Sequence, residues 1–284
     1  MDFRTERGRA RYDDLLAVAD RVVVGLDFDG TLSPIVNDPD AAVIHPDAPA
    51  ALRALAARVG AVVVITGRPA EQVVELGGLD DLADDLPHGA TLTVLGQYGN
   101  QRWDTGTRAF SSPEPPPALG DLRAELPALL ADRDASDAQI EEKGLALAVH
   151  TRRLADPQGA FDRLRGPLGE AAERHGLTLE PGRLVLEVRS SGMHKGLALR
   201  AALDEYDAAG VLFVGDDLGD LEAFEAVGSL REQGLPGVLV CSGSEEEVAL
   251  AELADLVVDG PVGVVEVLTD FATDAAHGGS PTPR

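Results

Sequence analysis

Residues 21–31 read Arg21-Val22-Val23-Val24-Gly25-Leu26-Asp27-Phe28-Asp29-Gly30-Thr31. A β-branched apolar run of this length is the signature of a strand buried on both faces. It stops abruptly at two carboxylates in alternate positions, at the carboxyl end of the strand, where open α/β sheets bind their ligands. Two acids so close repel each other unless a cation neutralises them, and an all-oxygen ligand set suits Mg²⁺. Taken alone, the same residues also suit a turn, since Asp and Gly are turn formers. What surrounds the stretch decides between the two readings.

Apolar strands alternate with helical patterns on both sides of it. The early half gives a helix over 8–20, the strand at 21–27, a helix over 48–59, a strand at 61–66, a helix over 69–76 and a strand at 91–95. The late half repeats the alternation with helix 194–207, strand 210–215, helix 218–228, strand 237–241, helix 245–253, strand 255–258 and helix 261–272. Alternation of this kind builds βαβ units, which cross over right-handed and cover a parallel sheet with helices on both faces. The middle differs. Ser111-Ser112-Pro113-Glu114-Pro115-Pro116-Pro117 is a stiff, strand-breaking linker. Beyond it come a helix over 118–133, strands at 137–142 and 145–151, a helix over 157–175, and strands at 177–180 and 183–189, with Lys143-Gly144 and Pro181-Gly182 as tight turns. The expected architecture is therefore α/β, a Rossmann-like parallel-sheet core formed by residues 1–105 and 189–275, with a smaller α+β domain, 106–188, inserted into it. Residues 276–284, ending Gly278-Gly279-Ser280-Pro281-Thr282-Pro283-Arg284, are expected to form a disordered tail.

Composition narrows the partners. A chain of 284 residues with 44% hydrophobic content can build a substantial core. Its formal net charge of -25 argues against nucleic acid and anionic membrane. The single cysteine, Cys241, follows the apolar run Val238-Leu239-Val240; it excludes an intrachain disulfide framework and fits a reducing compartment. No stretch approaches membrane-spanning length and the amino terminus lacks an apolar signal core, so a cytoplasmic monomer acting on a small molecule is expected. The acidity opposes a phosphorylated ligand, so a site for one must supply its own positive charge.

Four loops supply such a set. Besides Asp27-Phe28-Asp29-Gly30-Thr31 there are Thr66-Gly67-Arg68 after Ala61-Val62-Val63-Val64-Ile65, Lys195 in Gly192-Met193-His194-Lys195-Gly196, and Gly215-Asp216-Asp217-Leu218-Gly219-Asp220 after Val211-Leu212-Phe213-Val214. Phosphoryl transfer through a carboxylate needs a nucleophile, a fixed cation, a metal site and a proton donor. Asp27 suits the nucleophile and Asp29 the general acid and base. Thr66 offers a hydroxyl to a phosphate oxygen, Lys195 supplies the cation, and Asp216 with Asp217 or Asp220 completes a Mg²⁺ shell begun by Asp27 and Asp29. Gly67 and Arg68 fall among the substrate-binding candidates. Each piece has a plainer reading on its own: a strand terminus, a solvated lysine, a helix cap. All four in order, three of them directly after apolar strands, make coincidence a poor explanation.

With those residues in hand, the sequence resembles the haloacid dehalogenase superfamily of phosphatases, whose four motifs look like Asp27 to Thr31, Thr66-Gly67-Arg68, Lys195 and Gly215-Asp216-Asp217. An insertion between the second and third motifs resembles its type II sugar phosphatases. A closer resemblance, over about residues 20–270, is to trehalose-6-phosphate phosphatases. It is carried by Leu26 to Ile35, by Ile140-Glu141-Glu142-Lys143-Gly144 through His150, by Leu186-Glu187-Val188-Arg189 and by Gly96-Gln97-Tyr98-Gly99-Asn100. That resemblance implies Mg²⁺-dependent hydrolysis of the sugar phosphate, with Glu141, Lys143 and Glu187 holding sugar hydroxyls. Alternation along 184–189 independently puts Leu184, Leu186 and Val188 on one strand face and Val185, Glu187 and Arg189 on the other, which adds Arg189 to the candidates. The chain departs from the family at Gly219 and Leu221, where Thr and Glu are usual, at Thr66 in place of Ser, and at His194, where an acid is common. Other readings remain open at this point: a phosphatase of another sugar phosphate (sucrose 6-phosphate, glucosylglycerol phosphate), a phosphosugar mutase, or a non-catalytic binding module.

Overall fold

The computed structural model describes residues 1–36, 38–190, 192, 194–243 and 248–278. It divides into two compact units, Met1–Ser111 with His194–Arg284, and Ser112–Met193. The second unit thus begins a few residues later than the 106–188 expected from the linker, where Ser111 still pairs with Arg102 of the first unit in both directions at 2.8 Å, and it ends at Met193.

In chain order the first unit supplies helix α1 (Glu6–Leu16), strand β1 (Val22–Leu26), α2 (Ala48–Ala56), β2 (Ala61–Ile65), α3 (Ala70–Gly77), α4 (Leu79–Asp85), β3 (Leu92–Gly96) and β4 (Gln101–Asp104). The second contributes α5 (Pro117–Ala131), β5 (Gln139–Glu142), β6 (Ala146–His150), α6 (Pro157–Arg174), β7 (Leu177–Gly182) and β8 (Val185–Ser190). The chain then returns to the first with α7 (Lys195–Glu205), β9 (Gly210–Gly215), α8 (Leu221–Glu232), β10 (Gly237–Gly243), α9 (Val248–Leu253), β11 (Leu256–Asp259) and α10 (Gly260–Ala276).

Among the described residues the first unit carries a seven-stranded sheet in the order β11-β10-β9-β1-β2-β3-β4. Every pairing in it is parallel except β3 with β4. Strand alternation sorts the valines and leucines into two layers. Val22, Val24, Leu26, Val62 and Val64 face α1, α2, α3, α4 and α10, while Val23, Val63, Ile65, Val211 and Phe213 face α7, α8 and α9. Both layers are dry, which is why β1, β2 and β9 read as unbroken apolar runs.

β4 and α4 were not expected. β4 is a short polar edge strand whose one buried residue, Trp103, lies opposite Val94, and four of the seven residues of α4 are aspartate. Neither carries enough apolar residues for a periodicity to show. The expected tail also changes: α10 continues to Ala276 with Val264, Val267, Leu268 and Phe271 in the core, and residues 279–284 lie outside those described. The start of the expected helix over 245–253 likewise falls outside them; the described helix begins at Val248.

The second unit is a four-stranded antiparallel sheet, β5-β6-β8-β7. Leu147, Val149, Leu186 and Val188 pack on Leu122, Leu126 and Leu130 of α5 and on Leu164 and Leu168 of α6. Leu184 does not share the strand face assigned to it. It sits in the β7–β8 turn with φ +57°, a left-handed conformation a leucine rarely takes.

Candidate active site

The sheet register brings three motif loops together. Leu26 stands opposite Val214 on one side and Val64 on the other, so Asp27, Thr66 and Asp216 emerge side by side at the carboxyl ends of β1, β2 and β9. The Asp27 N–H still donates to the Val214 carbonyl at 2.9 Å, which fixes where the loop leaves the strand. Phe28 O accepts from the N–H groups of Leu32 and Ser33 at 2.9 Å each, and Gly30 N–H donates to Ser33 O at 2.7 Å, folding the loop back on itself. Gly30 takes φ +70°, and a Cβ there would lie 2.0 Å from Asp216 Oδ2. Only glycine fits, on both counts.

Lys195 opens α7 and is buried. Its Nζ lies 2.7 Å from Asp27 Oδ1 and 2.7 Å from Asp220 Oδ1. Asp220 is fully buried; its Oδ2 accepts the N–H groups of Asp216 at 3.0 Å and Asp217 at 3.4 Å. One carboxylate oxygen from each of Asp27, Asp216 and Asp220 lies within 4.8 Å of the others. With all three ionised, three carboxylates against one ammonium would leave two negative charges uncompensated, an arrangement that burial makes costly without a divalent cation.

The titration behaviour carries the same message. Burial pushes the Asp27 carboxyl well above the ordinary range; Lys195 opposes the shift, and Asp220, Asp216 and Asp217 add to it. Asp216 is pushed up to about 8, first by burial and then by Asp217 and Asp220. Burial pulls the Lys195 ammonium down, but Asp220, Asp27 and Asp217 outweigh it and hold it protonated above its usual value. The donor set fits Mg²⁺: hard oxygens only and an excess of acidic groups over the one ammonium. Asp27 and Asp216 are the carboxylates with capacity to hold the ion, because both oxygens of Asp220 are already engaged in orienting Lys195 and the 216–217 backbone.

The carboxylates of two other expected metal ligands, Asp29 and Asp217, lie outside that trio. Asp29 directs its carboxylate to Arg68, which donates from Nε to Oδ2 at 2.6 Å and from Nη2 to Oδ1 at 2.7 Å. Asp217 is exposed and accepts the Gly219 N–H at 2.9 Å, capping the turn that leads into α8. Its alternation from Asp216 turns it outward. Besides gripping the Asp29 carboxylate, Arg68 donates from Nη1 to the Pro39 carbonyl at 2.9 Å.

Thr66 is buried; its Oγ1 accepts the Arg68 N–H at 3.1 Å, leaving the hydroxyl proton for another acceptor. Gly67 lies against Tyr98, whose hydroxyl would be 2.8 Å from a Cβ there. Gln97 and Tyr98 both adopt left-handed backbone (φ +50° and +58°) and are clamped to the Thr66 loop. The Gln97 N–H donates to Arg68 O and the Tyr98 N–H to Thr66 O, each at 2.9 Å. Two consecutive non-glycine residues in that region store strain of the kind found at working sites. The sequence gives no sign of it beyond the flanking Gly96 and Gly99.

Glu141, Lys143, Glu187 and Arg189 all belong to the second unit. Register aligns Glu141, Ala148, Glu187 and Glu180 in one row across its sheet, on the face opposite the leucine core. Lys143 Nζ contacts Glu187 Oε2 at 2.6 Å, His150 Nε2 contacts Glu141 Oε2 at 2.8 Å, and Arg189 Nη2 donates to Glu180 Oε1 at 3.0 Å. Glu187 Oε1 is buried with no hydrogen-bond partner among the described residues.

The family model for trehalose-phosphatase matches residues 25–256. A trehalose-phosphate phosphatase of Mycobacterium tuberculosis (strain H37Rv) is 33% identical over 258 residues, covering 88% of this chain and 61% of the relative. One of Mycolicibacterium paratuberculosis is 34% identical over 268 residues, 90% of this chain and 63% of the relative. The chain therefore spans somewhat under two thirds of the length of these curated relatives. Among solved structures, the C-terminal domain of C. albicans trehalose-6-phosphate phosphatase superposes with a TM-score of 0.74 at 18% identity, covering 96% of this chain and 98% of that one. At that identity it shows a shared fold. With the family model covering most of the chain, the chain belongs to the trehalose-phosphatase family.

Proposed function

We propose that this protein hydrolyses trehalose 6-phosphate to trehalose and inorganic phosphate. The observation that carries the reading is the Asp27 carboxylate, 2.7 Å from Lys195 and grouped with Asp216 and Asp220 at the ends of adjacent strands. The first unit is then the catalytic core and the second a substrate-recognising cap.

In the first half-reaction a carboxylate oxygen of Asp27 forms a bond to phosphorus while the bond from phosphorus to the sugar oxygen breaks. Asp29, protonated from solvent once turned away from Arg68, gives that proton to the sugar oxygen, releasing trehalose. In the second, water attacks the aspartyl-phosphate, Asp29 takes the water's proton, and the acyl phosphate bond breaks to restore Asp27. Lys195 orients the nucleophile and favours its ionised form against the burial that opposes it; the Thr66 hydroxyl donates to a phosphoryl oxygen. Mg²⁺ held by Asp27 and Asp216 would supply the charge neutralisation that a phosphoryl group needs. Asp29 has both oxygens on Arg68, so proton transfer requires its side chain to turn away from the guanidinium.

Glu141, Lys143, Glu187 and Arg189 are assigned to the sugar hydroxyls. The buried Glu187 Oε1 supports this, since an unsatisfied carboxylate oxygen is a strong acceptor for a hydroxyl donor. The reading places the protein in a reducing cytoplasm, consistent with a single buried cysteine. A phosphate-release screen over trehalose 6-phosphate, sucrose 6-phosphate, glucosylglycerol phosphate and glucose 6-phosphate tests it. Trehalose 6-phosphate is expected to be turned over fastest; a different preferred sugar, or isomerised sugar phosphate in place of inorganic phosphate, would replace the assignment.

A further inference from the structure

Ser242 lies in none of the motif loops, yet its side chain ends in one. It sits near the carboxyl end of β10 and is buried, and its Oγ donates to the Gly30 carbonyl at 2.6 Å. β10 does not border β1. The strand between them is β9, and Cys241 is the residue opposite Gly215, so Ser242 stands level with Asp216 and reaches past it to the nucleophile loop. Gly30 is the residue that walls in Asp216, with no room for even one carbon between its Cα and Oδ2. Its amide is given to Ser33 O at 2.7 Å and its carbonyl to Ser242, so both polar groups of this peptide are pinned.

We infer that Ser242 is a positioning residue for the divalent-cation site: through Gly30 it fixes the wall against which Asp216 is set, and with it the spacing of Asp216 and Asp27. The hydroxyl touches neither carboxylate's role in the reaction; it acts through the loop. Buried hydrogen bonds behind a ligand shell tune metal affinity by orienting the groups that bind. Without the donor, a buried carbonyl is left unsatisfied and Gly30 is free to move back from Asp216. The inference rests on the reading of Asp27 and Asp216 as metal ligands.

The test follows Mg²⁺ binding by calorimetry and by the rise in melting temperature that Mg²⁺ gives the metal-free protein, for wild type, Ser242→Ala and Ser242→Thr. Ser242→Ala is expected to weaken Mg²⁺ binding about tenfold and to lower kcat, with KM for the sugar phosphate unchanged. Ser242→Thr keeps the hydroxyl and should restore both. Ser242→Cys, with a weaker donor of similar volume, should fall between them and serves if the alanine variant does not fold. A Ser242→Ala protein that melts lower but binds Mg²⁺ like wild type overturns the inference alone, reducing Ser242 to a packing residue. A wild-type protein that shows no Mg²⁺ binding overturns it together with the metal-site reading on which it rests.

Discussion

Arg68 and Asp29 face each other as a two-pronged pair, Nε to Oδ2 at 2.6 Å and Nη2 to Oδ1 at 2.7 Å, with the arginine itself moored to the Pro39 carbonyl. The two residues come from different motif loops, one after β1 and one after β2. The pairing gives the proposed proton donor a fixed resting place away from the Asp27–Asp216–Asp220 group. On the proposed reading, Arg68 is the partner that positions the acid.

Removing that partner should act on the step that needs a proton. Arg68→Ala is expected to lower kcat on trehalose 6-phosphate by about 10²-fold, the lower end of what a positioned acid contributes. Turnover of p-nitrophenyl phosphate, whose leaving group needs no proton, should fall much less. Arg68→Lys should recover little, because an ammonium cannot reproduce the parallel fork. Equal losses on both substrates would mean that Arg68 acts on the phosphoryl group instead.

Gly30→Ala is expected to fold less stably and to lose Mg²⁺-dependent activity. A Cβ at φ +70° is strained, and it would occupy the place of Asp216 Oδ2. Melting curves with and without Mg²⁺ check this: the variant should lose the metal-dependent rise. An unchanged rise would show that the loop relaxes around the extra carbon.

The raised Asp216 carboxyl makes a signed prediction about pH. The folded, metal-free protein holds that proton up to about 8, against an ordinary value of 3.8 in the unfolded chain, so the folded state binds the proton more tightly. The stabilisation this gives is complete below the unfolded value and is lost as pH rises towards 8. Mg²⁺ binds the ionised carboxylates and reverses the loss. The melting-temperature gain from Mg²⁺ should therefore grow between about pH 5 and about pH 8. A gain that is flat or shrinks over that interval would contradict the acidic cluster as the metal's site.

Glu187→Ala should raise KM for trehalose 6-phosphate and leave p-nitrophenyl phosphate kinetics close to wild type. Its stability cost is expected to be modest, because the Lys143 ammonium left behind is partly exposed and can reach water. Equal kinetic losses on the two substrates would remove Glu187 from sugar recognition.

The placement of Asp27, Thr66 and Asp216 at strand ends and of Lys195 at the start of a helix was legible because each borders a pattern that sequence displays well. A run such as Val22 to Leu26 has to be a buried strand, and a polar residue straight after it has to stand at the sheet's edge of loops. The sheet of the second unit was legible for the same reason: Leu186 and Val188 alternate with Glu187 and Arg189. What escaped was each feature made by residues distant in the chain. Nothing near Ser242 announces Gly30, 212 residues away, as the acceptor of its proton. The commitment of Arg68 to Asp29 depends on where two loops cross, and the left-handed Gln97 and Tyr98 are held by hydrogen bonds to the 66–68 loop. β4 escaped because a short edge strand needs few apolar residues, and Leu184 because a hairpin turn overrode its place in the alternation.

The most direct test is phosphate release from trehalose 6-phosphate by the wild-type protein and by Asp27→Asn, with melting curves and Mg²⁺ present for both. Wild type should release phosphate and trehalose in equal amounts, while Asp27→Asn, folded and of nearly unchanged size, should release none above the uncatalysed background. Turnover that survives in Asp27→Asn would contradict Asp27 as the nucleophile.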